Sequence, residues 1–120
     1  MSIKLYDSEL RVMDILWRSG DSTAKDIAEE LSVTADWSKT TTYTVIKKCI
    51  DKGAVSRSEP GFMCHAEISR KGAQEYETSE LINKMYDGKA DMLIASLLDS
   101  KRLSKEEIAE LKKLVEEMEC

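Results

Sequence analysis

Residues 37–58 read W-S-K-T-T-T-Y-T-V-I-K-K-C-I-D-K-G-A-V-S-R-S, and how this stretch folds decides the rest of the chain. Propensity favours a strand, because Thr40, Thr41, Thr42, Tyr43, Thr44, Val45 and Ile46 are all weak helix formers. Spacing favours a helix. Thr42, Val45, Ile46, Cys49 and Ile50 share one helical face, while Lys39, Thr40, Tyr43, Thr44, Lys47 and Lys48 lie largely on others. Gly53 stands where glycine ends a helix cheaply. The pattern predicts a helix over about 38–52, stabilised by packing rather than by propensity. The stretch is also a basic island: Lys39, Lys47, Lys48, Lys52 and Arg57 stand against one acid, Asp51, in a chain whose net charge is −5. Basic side chains interleaved with Thr, Ser and Tyr suit phosphates and base edges. A solvated basic helix face would carry the same charges, so the flanking elements must decide.

Upstream, Leu10, Met13, Leu16 and Trp17 mark one face of a helix over Asp7–Ser19, with Asp7 as its cap and Gly20 as its stop. Thr23 opens a second helix, with Asp26 three residues on as a weak reciprocal cap. Ala24, Ile27, Ala28 and Leu31 form its buried stripe, it ends near Ser32, and 32–37 is a connector. Downstream, Ala54–Ser58 and Phe62–Ile68 read as strands, with Phe62, Cys64, Ala66 and Ile68 alternating on one face. Pro60-Gly61 between them predicts a type II turn at the tip of a β-hairpin.

After Ser69 the pattern is helical to the end. One helix runs from Ser69 to Asp87 and is closed by Gly88. A second covers Lys89–Asp99 with apolar residues on more than one side. A third covers Ser104–Glu119, where Ser104 and Glu107 form a capping box and Leu103 and Ile108 are placed as a staple. Ile108, Leu111, Val115 and Met118 follow the 3, 4, 3 spacing of a helix that pairs with another helix. Acids outnumber bases more strongly after residue 70 than before it.

Composition closes off other classes. The chain has 120 residues, 42% hydrophobic and 34% charged, with one Pro and five Gly. That describes one folded domain with a short helical annex rather than a disordered chain. The longest apolar run, Met92–Ala95 followed by Leu97 and Leu98, is far below the roughly 18 residues of a membrane span. The start, M-S-I-K-L-Y-D, lacks an apolar signal segment, so the expected location is the cytoplasm. Cys49, Cys64 and Cys120 are too few and too scattered for a disulfide framework. Cys64-His65 is the one adjacent Cys/His pair, and no further ligands stand at metal-site spacing, so neither metal nor cofactor is expected. A single His, no Gly-rich phosphate loop and no nucleophile beside a base argue against an enzyme. Glu29-Glu30, Glu106-Glu107 and Glu116-Glu117 sit on helices, where acidic pairs are solvated faces.

The predicted class is mainly α with a small β-hairpin (α+β). Residues 1–70 form a winged helix-turn-helix and 71–120 a helical dimerisation region. In this arrangement the first two helices brace the third, whose polar face enters the DNA major groove, and the hairpin 54–68 lies alongside as a wing. The expected DNA-binding residues are Lys39, Thr40, Thr41, Tyr43, Thr44, Lys47, Lys48 and Arg57. The expected dimerisation residues are Leu81, Met85, Leu93, Leu97, Ile108, Leu111, Val115 and Met118. The C-terminal helices could instead fold back on their own wing, although a small wing offers little apolar surface to cover three helices.

Four stretches together resemble the penicillinase-repressor family of bacterial transcriptional regulators, the BlaI/MecI type. They are E-L-R-V-M-D-I-L-W at 9–17, S-T-A-K-D-I-A-E-E-L at 22–31, T-T-T-Y-T-V-I-K-K-C-I-D-K-G-A-V at 40–55 and L-I-N-K-M-Y-D-G at 81–88. The resemblance implies a homodimeric repressor on a palindromic DNA operator. Its departures limit the transfer. Members that control β-lactam resistance usually carry a basic residue where Tyr43 stands, so their operator preference does not carry over. Those members are cut by a regulatory protease at an Asn-Phe bond, and the corresponding place here is Ser96-Leu97. Copper-responsive relatives end in several cysteines, against the lone Cys120. The competing reading is a winged-helix protein–protein interaction module, with the basic helix and hairpin on an acidic protein surface.

Overall fold

The computed structural model describes residues 3–118. In chain order its elements are α1 (Asp7–Ser19), β1 (Ser22–Thr23), α2 (Ala24–Thr34), α3 (Lys39–Asp51), β2 (Val55–Ser58), β3 (Met63–Ala66), α4 (Arg70–Met85), α5 (Ala90–Asp99) and α6 (Lys105–Met118). They form two compact units, Met1–Thr78 and Ser79–Cys120, and the division falls inside α4. The α+β class and the winged-helix order of the first unit are as the sequence predicts.

The contested stretch is a helix. Ser38 caps α3 by accepting the Thr41 N–H at 3.1 Å. Thr42, Val45, Ile46 and Cys49 are all buried, and α3 packs on both α1 and α2. Burial of that face outweighs the poor propensity of the threonines, each worth only a few tenths of a kcal/mol up to about 0.7. At its end Gly53 takes φ 82°, and the Gly53 and Ala54 N–H groups reach back to Ile50 O and Cys49 O, both at 2.9 Å. The core beneath is continuous from Val12, Met13, Ile15 and Leu16 of α1 through Ile27 and Leu31 of α2 to Val55 and Cys64 of the sheet.

Four local expectations are corrected. Tyr6, not Asp7, is the residue before α1, and its N–H donates to the Glu9 side chain at 2.8 Å. Glu9 is 1% exposed, so burial of the third helical position, rather than the first acid in the row, decides the register of the cap. α2 runs past Ser32 to Thr34, where the Ser32 and Thr34 hydroxyls donate to Glu29 O and Glu30 O.

The sheet has three strands in the order β1-β3-β2, not two. Thr23 must be extended to cap α2 by accepting the Asp26 N–H. Two extended residues then pair antiparallel with β3, Ser22 opposite Cys64 and Thr23 opposite Met63. So short a strand has no period of its own to read. At the hairpin tip the Glu59-Pro60 bond is cis, and both Gly61 (φ 86°) and Phe62 (φ 52°) are left-handed. Gly61 thus has the left-handed φ that the third position of a type II turn needs; the tip departs from the expectation in the cis bond before Pro60 and in Phe62, left-handed although it follows the two central positions. Phe62 is held there by its neighbours: its carbonyl accepts the Ala24 N–H at 3.0 Å.

In the second unit, α5 and α6 have no buried residue. The end of α4 is closed by Gly88 (φ 76°), whose N–H donates to Ile82 O at 3.0 Å. Ser104 and Glu107 form the reciprocal cap of α6, at 2.9 Å and 3.1 Å. Of the expected dimerisation residues, Leu81, Met85, Leu111, Val115 and Met118 are exposed, and Leu93, Leu97 and Ile108 are half-buried. Glu119, expected to end the last helix, lies outside the described residues, as do Cys120 and the first two residues of the chain. No helix among the described residues is long and apolar enough to cross a membrane.

Candidate nucleic-acid interface

Burying Thr42, Val45, Ile46 and Cys49 turns the other side of α3 outward. Lys39, Thr40, Tyr43, Thr44 and Lys47 line one shallow open groove along it. Lys39, Thr40, Thr41, Thr44, Lys47 and Lys48 are exposed and Tyr43 is half-buried. Thr41 sits at the first turn, where its hydroxyl accepts from Ser38 Oγ at 3.0 Å. Lys48 is exposed but does not line the groove. The first turn of α3 carries no acid, so its unpaired N–H groups and positive dipole end remain an anion-favouring surface.

The wing joins this face through a chain of rings. Lys39 Nζ lies 5.6 Å from the centre of the Tyr43 ring. Tyr43 meets Phe62 edge to face, with centroids 5.7 Å apart and planes at 87°. The Arg57 guanidinium stacks on Phe62 with its carbon 3.6 Å from the ring centre. Arg57 is therefore one ring away from the groove, although it is fourteen positions from Tyr43 in the chain. Its Nε donates to Glu59, and that hydrogen bond holds the Glu59 carboxyl below the usual carboxylate range.

Sequence reasoning missed two contributors to this face. Phe62 and Glu59 were legible only as residues around a Pro-Gly turn; an aromatic directly after such a turn was the available signal. Lys52, part of the basic island, is not on this face. Its ammonium pairs with buried Glu9, donates to Lys4 O at 2.8 Å and lies 4.2 Å from the centre of the Tyr6 ring. Lys47 shares its charge with Asp51 at 3.5 Å, a highly exposed pair of little energetic weight.

Cys64 and His65 cannot converge on one ion, because neighbours on a strand point to opposite faces. Cys64 is buried, and His65 is exposed with Nδ1 2.7 Å from Asp21. Burial pushes the thiols of Cys49 and Cys64 up to about 12 and about 11, which leaves both protonated and unreactive. Among the described residues, no group of three or more His, Cys, Asp or Glu could hold a metal ion.

The sequence model of the penicillinase repressor family matches residues 5–117. The chain belongs to that family. It is a family of DNA-binding transcriptional repressors rather than of enzymes. The chain is 30% identical over 116 residues to the penicillinase repressor of Bacillus licheniformis, covering 95% of this chain and 91% of that protein. It is 28% identical over 120 residues to the methicillin resistance regulatory protein MecI of Staphylococcus aureus, covering 96% and 98%. Among solved structures it resembles the DNA-binding domain of the repressor BlaI, with a TM-score of 0.54 and 30% identity over 57% of this chain and 87% of that one. It also resembles monomeric B. licheniformis BlaI in complex with the blaP half-operator, with a TM-score of 0.52, 30% identity and the same coverage.

Proposed function

We propose that this member of the family represses transcription in the cytoplasm by binding a palindromic DNA operator as a homodimer. In this reading α3 enters the major groove, and Lys39, Thr40, Thr41, Tyr43, Thr44, Lys47 and Lys48 contact bases and phosphates. The β2–β3 hairpin flanks it, with Arg57 on the backbone. The observation that carries the reading is the outward side of α3: a groove lined by Lys39, Thr40, Tyr43, Thr44 and Lys47 at the acid-free start of a helix. The relative solved with the blaP half-operator supports it.

The first unit, beginning with 1–70, reads DNA, and 71–120 holds two copies together. Ile94, Leu98, Leu111, Leu114, Val115 and Met118 are between 40% and 84% exposed on α5 and α6. A second copy would cover such residues, and two-fold symmetry would pair two reading heads with two half-sites. A regulatory protease acting here would cut near Ser96-Leu97 in α5, where both residues are half-buried.

The test is selection of genomic DNA fragments by the purified protein, followed by titration of the best fragment against salt. A palindromic consensus, with affinity falling steeply as for a protein neutralising about 6–10 phosphates, is expected. Thr40→Glu and Lys48→Glu should each abolish binding while leaving the dimer folded. Wild-type binding by both variants would remove α3 from the interface, and absence of any enriched fragment at low salt would leave the protein-interaction reading.

A further inference from the structure

The wing tip carries an acid where an interface for a polyanion should carry none. Glu59 is exposed beside the residues proposed to meet DNA, and its carboxylate does two local jobs. One oxygen accepts from Arg57 Nε, and the other accepts the Phe62 N–H at 3.4 Å. The Arg57–Glu59 pair spans only two positions, with both side chains about half exposed. Phe62 supplies the floor under the guanidinium and itself leans on Tyr43 of α3. Arg57 is thus delivered to the edge of the groove with an anion already bound to it. A carboxylate paired with Arg presents the oxygen geometry that a phosphate would.

We propose that Glu59 is an affinity-setting residue, an internal substitute for a DNA phosphate that competes for Arg57. The proposal rests on the reading of α3 and the wing as a DNA interface. In the free protein Glu59 satisfies Arg57 and cancels its charge at the tip. On DNA, a backbone phosphate must take Arg57 from Glu59. That competition holds affinity below what the exposed Lys and Arg side chains alone would give. When the complex loosens, Arg57 has a partner to return to within its own hairpin. Phe62 keeps the competition local, because it confines the guanidinium to the ring surface between the two anions.

The experiment measures operator affinity and its salt dependence for the full-length wild type, Glu59→Gln, Arg57→Gln and the double variant, each checked for an unchanged thermal melt. The probe is the DNA fragment enriched by the wild-type protein. Glu59→Gln should bind about two- to five-fold tighter, the range an exposed ion pair can supply. Arg57→Gln should bind more weakly, with a log–log salt slope shallower by about 0.9, the loss of one phosphate contact. In the Arg57→Gln background, Glu59→Gln should change affinity little, because the competitor has lost its object. Unchanged or weaker binding by Glu59→Gln overturns the proposal. So does equal tightening with and without Arg57, which would make Glu59 only a distant repelling charge. Failure of the wild type to enrich any fragment would instead remove the DNA-binding reading, and this proposal with it.

Discussion

Removing Lys52 should destabilise the protein far more than its position on a basic surface stretch suggests. The Lys52 side chain is 27% exposed and its partner Glu9 only 2%. Lys52→Met keeps the aliphatic stem and deletes the ammonium. The ion pair is charge-assisted and its acid is buried, so its loss costs about 1.5–3 kcal/mol. Loss of the cation over Tyr6, 4.2 Å from the ring centre, adds about 0.5–1 kcal/mol. The bond to Lys4 O goes as well. These contributions share one ammonium and do not add fully. The expected loss is about 2–4 kcal/mol, a fall in Tm of roughly 8–30 °C for a unit of this size. Part of it is the cost of leaving the Glu9 carboxylate buried without its counter-charge. That component is recovered when the acid is neutralised too, so Glu9→Gln with Lys52→Met should be more stable than Lys52→Met alone. Urea unfolding of the wild type, Lys52→Met and the double variant at one fixed concentration measures both effects, since oligomerisation would otherwise shift the midpoints. A loss under about 0.5 kcal/mol for Lys52→Met, typical of a surface charge, would refute the reasoning. A double variant less stable than the single one would refute the burial argument specifically.

The Thr42 hydroxyl is buried in α3 without a hydrogen-bond partner, so Thr42→Val should stabilise by about 1 kcal/mol in the same urea assay; a loss of stability would show that the hydroxyl is satisfied after all. The hydrogen bond that His65 Nδ1 donates to the Asp21 carboxylate raises the titration of His65 above 6.5. A group raised on folding contributes all its stabilisation below the unfolded value of about 6.5, and that contribution fades as pH climbs through the folded value. The ring proton of the chain's single His, followed by NMR, should titrate above 6.5 in the wild type and lower in Asp21→Asn; equal midpoints would break the link. Leu111 is 40% exposed on α6, and Leu111→Asp should sediment as a monomer if α6 joins two copies, whereas an unchanged mass would take that helix out of the interface.

Much of the candidate interface was legible because it is local. The buried stripe of α3 follows from its spacing, and once that stripe is inside, the positions of Lys39, Thr40, Tyr43, Thr44 and Lys47 on the outward side follow by geometry. Phe62, Glu59 and Lys52 were not legible in the same way. Their roles depend on which residues meet across the fold: Phe62 on Tyr43, Lys52 on Glu9. Charge counting placed Lys52 in the island because sequence proximity to Lys48 is not proximity in space, and at the end of α3 the chain has already turned toward the start of α1.

By itself the sequence determined what rests on short separations. Caps such as Ser38 with Thr41 and Ser104 with Glu107 span three residues, glycines such as Gly53 and Gly88 stop helices through their own backbone freedom, and helical periodicity selects the buried faces. Tertiary structure alone decided what requires two distant segments to meet. Ser22 and Thr23 become a strand only because β3 offers an edge. Glu9 is a buried acid only because Lys52 arrives to neutralise it. Arg57 stands beside the α3 groove only because the ring of Phe62 spans the gap to Tyr43. Each of these contacts gains its free energy from burial and pairing that no isolated segment can supply.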